Sequence, residues 1–161
     1  VAPKDLAAEA DSVSFCLSKG LAAPVGSMVC GTQAFINEAR RARKLLGGGM
    51  RQAGILAAAG IVSLNEMVER LADDHANAKK LAAGLAEIQG LFIEPDRIRT
   101  NIVFFELKSE KMTAAQFTQQ INAEGLRMLP VAAQRVRAVT YYHITSKDID
   151  QALAVVSKVM K

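Results

Sequence analysis

The chain has 161 residues, half of them hydrophobic, and 20 Lys and Arg against 16 Asp and Glu give a formal charge of +4. That length is about one domain's worth of sequence, and the apolar share excludes an intrinsically disordered chain. The charge excess is too mild to imply nucleic acid. Two cysteines, Cys16 and Cys30, in no metal-ligand spacing, exclude a disulfide-built secreted scaffold and fit a reducing compartment. The longest nearly unbroken apolar run, residues 53–64, is too short to span a bilayer, and no charged segment followed by an apolar one opens the chain, so no signal peptide is expected. The first residue is Val1 rather than Met, so the expectation is a processed chain or part of a longer protein.

Residues 13–17 are a short apolar run rich in strand formers and predict a buried strand. Residues 28–30 resume a strand before Gly31. Thr32 can cap a helix to about residue 46, and Gly47-Gly48-Gly49 stops it. From Arg51 to Leu64 the pattern is helical and apolar almost all round, which predicts a buried helix. Val68, Leu71, His75, Ala78, Ala82 and Leu85 recur at steps of three and four and mark an amphipathic helix that Gly90 ends; His75 reads there as a hydrogen-bonded core or interface histidine. Strands follow at 91–93 and 101–107, around a turn at Pro95. Thr113 and Gln116 form a capping box that opens a helix to about residue 123. Strands are read at 127–129 and 136–140. Thr145 and Asp148 form a second capping box, with Ile149, Ala152, Leu153 and Val156 as the apolar face behind it.

Residues 66–161 therefore read as a small α+β domain with its own core. Residues 1–65 read as the end of a larger α/β domain. Two short buried strands and one helix cannot cover both faces of a sheet, so their partners lie upstream or in another chain.

Lys19 is the only charge between Asp11 and Glu38. An ammonium in apolar surroundings is costly unless it reaches water or has a task. It is either a strand-end lysine reaching solvent or an amine made nucleophilic toward carbonyls by desolvation. The segment from Lys44 through Gly47-Gly48-Gly49 to Arg51 is either a flexible link or an anion site. Glycines allow close backbone approach, a helix begins just afterwards, and both flanks are cationic. Arg137 lies inside a strand-like run. It either faces solvent or clamps a carboxylate with two hydrogen bonds. The cluster Arg40-Arg41-Ala42-Arg43-Lys44 reads as a solvated face or subunit contact, because no aromatic residue interleaves with it.

Four stretches taken together, SFCLSKGLAAPVGSMVCG (14–31), RRARKLLGGGMRQAGILAAAGI (40–61), TNIVFF (100–105) and RAVTYYHITSKDID (137–150), resemble the threonine aldolase family of pyridoxal-phosphate enzymes. The resemblance runs in order along essentially the whole chain. It implies the aspartate-aminotransferase type of fold, a large domain with a mostly parallel sheet followed by a small C-terminal domain. It implies that Lys19 holds pyridoxal phosphate, with Ser18 beside it near the phosphate. Lys44 and Arg51 match a basic pair that reaches the phosphate across a subunit interface, and Arg137 matches the arginine that grips the substrate carboxylate.

Where the family usually has a histidine and, two positions on, often a glycine, this chain has Tyr141 and His143. The family's glycine-rich phosphate loop, ring-stacking histidine and pyridine-facing aspartate come from an N-terminal half with no counterpart in this sequence. The implied activity is cleavage of a β-hydroxy-α-amino acid, threonine or allo-threonine, to glycine and an aldehyde. The implied protein is a cytoplasmic homo-oligomer, dimer or tetramer, with an amino acid as substrate and neither nucleic acid, membrane nor metal as partner. The alternatives are an inactive fragment of such an enzyme, a small nucleic-acid binder built on residues 40–44, or a related lyase or glycine hydroxymethyltransferase.

Overall fold

A computed structural model describes residues 2–108 and 112–161. The chain divides into two compact units, Val1–Glu69 and Arg70–Lys161.

The first unit opens with a single helical turn, α1 (Pro3–Leu6), and continues with β1 (Ser12–Cys16) and β2 (Ser27–Gly31), which pair antiparallel from Ser12 opposite Gly31 to Cys16 opposite Ser27. The two strands are joined by residues 17–26 alone, and a parallel pair needs a crossover element between its strands. A mostly parallel domain sheet leaves room for this antiparallel pair, but the burial expected of residues 13–17 is met only at Leu17, since no residue of Ser12–Cys16 is buried in this chain. Helix α2 (Gln33–Leu45) starts where Thr32 accepts the Phe35 N–H on its side-chain oxygen, and it ends before Gly47 in the left-handed region at φ +79°. Helix α3 (Gly54–Glu66) follows. Its expected burial is not found in this chain: only Gly60 and Ser63 are buried, while Ile55 is 82% and Ile61 60% exposed. The pattern suits a covered helix, and at Gly60 the hairpin loop reaches it through Leu17.

The second unit packs three helices on one face of a four-stranded antiparallel sheet. The helices are α4 (Leu71–Ala86), α5 (Ala114–Ala123) and α6 (Ser146–Val159). The strands are β3 (Leu91–Phe92), β4 (Ile102–Leu107), β5 (Leu129–Pro130) and β6 (Arg135–Val139), in the order β3-β4-β6-β5. Strand alternation sorts the faces. Val103, Phe105, Leu107, Val136 and Ala138 turn inward to meet Leu81, Leu85, Phe117, Ile121, Ile149 and Val156. Phe105 and Phe117 meet edge to face, with centroids 5.9 Å apart. Ile102, Phe104, Arg135, Arg137 and Val139 alternate with them on the other face. Both predicted capping boxes form. The buried polar stripe of α4 differs from the sequence reading. Asp74 and Asn77 are buried, and His75 is only half-buried without a hydrogen bond among the described residues. Toward its C-terminal end the buried face follows the expected Ala78, Ala82 and Leu85, and in its first turns it runs through Asp74 and Asn77 instead of His75. Among the described residues, no helix is long and apolar enough to cross a membrane.

Candidate functional site

Lys19 sits in the loop between β1 and β2. The loop is tied by its own backbone: the Leu17 N–H donates to Gly26 O at 2.9 Å, Ala23 N–H to Leu17 O at 3.0 Å and Ala22 N–H to Lys19 O at 2.8 Å. Leu17 and Ala23 are buried as its anchors, and a Cβ at Gly60 of α3 would stand 3.1 Å from Leu17 Cδ1. The loop therefore rests on α3 at a glycine, where an added Cβ would press on Leu17. Ser18 is half-buried and Lys19 exposed in this chain. No described salt bridge engages Lys19, Lys44, Arg51 or Arg137.

Lys44 lies in the last turn of α2 and folds back across the glycine triplet. A Cβ at Gly49 would meet its Cδ at 3.0 Å and its Nζ at 3.5 Å. Arg51 and Gln52, the latter at φ 49°, lead into α3. That helix starts with no side-chain cap and no acidic residue in its first turn. Its leading N–H groups, with the positive end of the helix dipole, favour an anion. An aldehyde-bearing cofactor with a phosphate needs an uncommitted amine and a set of anion donors. Lys19, Lys44, Arg51 and the uncapped start of α3 are the right donor types within one unit.

Arg137 lies in the middle of β6, opposite Phe104 of β4 on one side and Leu129 of β5 on the other. Its neighbour Arg135 lies over the Phe104 ring at 4.7 Å. The Nε of Arg137 is buried and has no hydrogen-bond partner among the described residues. A buried N–H without an acceptor is uncommon and calls for one, which a planar carboxylate supplies with matching geometry.

Elsewhere in the same unit a groove of about 580 Å³ is lined by Arg70, Asn77, Lys80, Tyr142 and Ser146 among others. Its cations are already engaged, Arg70 with Asp74 at 2.7 Å and Lys80 with Asp150 at 2.6 Å. Sequence reasoning passed over this Arg70–Asp74 pair and the contact it supports, the Thr140 hydroxyl donating to Asp74 O at 2.6 Å. The i,i+4 spacing of the first was visible as a signal. The second joins residues 66 apart and has no local signature.

The β-eliminating lyase family matches residues 1–110. Low-specificity L-threonine aldolase 1 of Arabidopsis thaliana is 40% identical over 152 residues, which is 94% of this chain and 42% of that protein. The low specificity L-threonine aldolase of Escherichia coli K12 is 39% identical over 151 residues, 94% of this chain and 43% of that protein. The chain spans less than half the length of these curated relatives. A crystal structure of a Listeria monocytogenes protein described as a candidate L-allo-threonine aldolase shares the fold. Its TM-score is 0.79 over 99% of this chain and 47% of that chain, at 17% identity. The mixed α/β architecture, the hairpin that carries Lys19 and the match that spans it agree, and the chain belongs to the β-eliminating lyase family.

Proposed function

We propose that the protein carrying this chain is a pyridoxal-phosphate-dependent aldolase that cleaves threonine, allo-threonine or a related β-hydroxy-α-amino acid to glycine and an aldehyde. The observation that carries this reading is Lys19. It is the one charge in a long apolar stretch, held on a self-tied loop with no described carboxylate to occupy it. When bound, the cofactor supplies the electron sink for breaking a bond at the substrate's α-carbon. Lys19 would hold it through its amine. Ser18 would sit beside Lys19 near the phosphate, and Lys44 and Arg51, by the start of α3, would reach the phosphate of a neighbouring subunit's cofactor. Arg137 binds the substrate carboxylate with its orphaned Nε–H, and so fixes which bond at the α-carbon is oriented to break.

Residues 1–65 form in this reading the last part of the cofactor-binding domain, and residues 66–161 the small C-terminal domain. The exposed apolar side chains of α3 support a homo-oligomer, dimer or tetramer, in which Lys44 and Arg51 serve a neighbouring subunit's cofactor. The free cysteines Cys16 and Cys30 support a reducing compartment, the cytoplasm. Membership of the β-eliminating lyase family favours one second reading, a related lyase that releases a different product from the same amino acid.

Borohydride reduction of the cofactor-loaded protein, followed by peptide mass mapping, tests the proposal. The expected result is a cofactor-sized mass addition on the peptide containing Lys19 and its loss in Lys19→Ala. A lysine-linked cofactor that persists in Lys19→Ala overturns the assignment. Analysis of the products from threonine, glycine and acetaldehyde against ammonia and a keto acid, separates the two lyase readings.

A further inference from the structure

Strand β6 ends at Val139, and the next residue, Thr140, is 1% exposed. Its hydroxyl donates to the carbonyl of Asp74 in α4 at 2.6 Å. Its N–H donates to Asn101 O at 3.0 Å, and the side-chain amide of Asn101 donates back to Thr140 O at 2.8 Å. This exchange sits one rung beyond the last ladder pair, Ile102 with Val139. Asp74 is itself held: its carboxylate pairs with Arg70 at 2.7 Å, and the Arg70 guanidinium lies 5.1 Å from the centre of the Tyr142 ring. The end of β6, the residue leading into β4 and the first turns of α4 thus meet at one hydroxyl.

The apolar pattern of β6 does not by itself place Arg137. A slip of one residue against β4 is forbidden, because it would turn Arg135 and Arg137 into the core in place of Val136 and Ala138. A slip of two residues keeps every side chain on its own face and moves Arg137 about 7 Å along the sheet. Ladder hydrogen bonds do not distinguish these registers, since each rung offers the same groups. A hydroxyl that must meet one particular helix carbonyl does distinguish them, because a buried hydroxyl deprived of that acceptor is costly, while the carbonyl keeps its partner within the helix.

We infer that Thr140, assisted by Asn101, is a positioning residue that sets the register of β6 and so presents Arg137 to the substrate carboxylate. The inference rests on the proposed role of Arg137, and the test separates the two. Thr140→Val keeps the shape and removes the donor; Thr140→Ser restores the donor. By NMR on the chain, the cross-strand contacts of Arg137 with Phe104 and Leu129 should be joined in Thr140→Val by a second set displaced by two residues, and Thr140→Ser should show the native set alone.

In the cofactor-loaded protein, Thr140→Val should raise KM for the amino acid about 10-fold with kcat within about twofold, and Thr140→Ser should reverse this. Native contacts only, with unchanged KM, in a Thr140→Val protein of lowered melting temperature would show a merely structural threonine and overturn the inference. Should Thr140→Val not fold, Asn101→Ala removes the reciprocal bond on the same rung and is read by the same two measurements. An unchanged KM in Arg137→Gln would instead overturn the role of Arg137, while the NMR contacts still decide the register.

Discussion

Asp74 is a carboxylate almost cut off from water, with one cation to balance it. Its side chain is 1% exposed, and only one of its oxygens is bonded; the other oxygen and the Arg70 Nε are buried without partners among the described residues. Such a pair adds little net stability while intact and costs much when halved. Arg70→Met should therefore destabilise the protein by about 3 kcal/mol in urea unfolding, because it strands the carboxylate. The double change Arg70→Met with Asp74→Leu should recover most of that loss, and a double variant no more stable than the single would refute the argument. These residues also show what the sequence concealed. Their spacing is local, but burial comes from β6 arriving beside α4, and nothing within a turn of Asp74 announces Thr140. Lys19 was legible because it stands alone in a charge-free stretch. Arg137 stood out as a cation inside a strand-like run, but alternation reads the same for a solvent-facing arginine, and its role comes from the resemblance alone.

At the scale of elements, the capping boxes were readable because all of their atoms lie within four residues. In the box that opens α6, the Thr145 hydroxyl and backbone N–H both donate to the Asp148 carboxylate, at 2.6 and 2.8 Å, and hold its pKa below the usual aspartate value. A carboxylate with a lowered folded-state pKa stabilises the fold above its unfolded pKa, and that contribution fades as pH falls through the lowered value. Thermal stability should thus drop below about pH 4 more steeply in the native protein than in Asp148→Asn, which lacks the titration. Parallel acid profiles for the two proteins would contradict this. The contact between α4 and α6 is set by a missing side chain. A Cβ at Gly84 would lie 2.7 Å from Leu153 Cδ2 and 3.0 Å from its Cγ. In open solvent Gly→Ala in a helix gains up to about 1 kcal/mol. At Gly84 the overpacking outweighs that gain, and Gly84→Ala should lower the melting temperature, whereas a rise would show that Leu153 gives way freely. Helix α3 was legible as a helix and misread as buried within this chain. Its pattern records the apolar surroundings it is suited to, and those are not supplied by the described residues.

The whole molecule is therefore uneven in how it meets water. The second unit has a core closed on one side of its sheet by three helices. The first has a hairpin, and a helix whose Ile55, Ile61, Val62 and Leu64 stand exposed. In the proposed homo-oligomer these exposed apolar side chains are the expected subunit contact. Ile55→Lys with Ile61→Lys should shift the sedimentation of the protein toward the monomer while the helix content in circular dichroism is kept. An unchanged assembly mass would place the subunit contact elsewhere.

The loop that carries Lys19 is closed by residues close to it in sequence, from Ser12 opposite Gly31 inward. The strand that carries Arg137 finds its partner much farther away, with Ile102 opposite Val139. Short closures cost less chain entropy and form sooner than long ones. The loop that carries Lys19 therefore needs only a local closure, whereas the placing of Arg137 waits on two segments far apart in the chain finding each other.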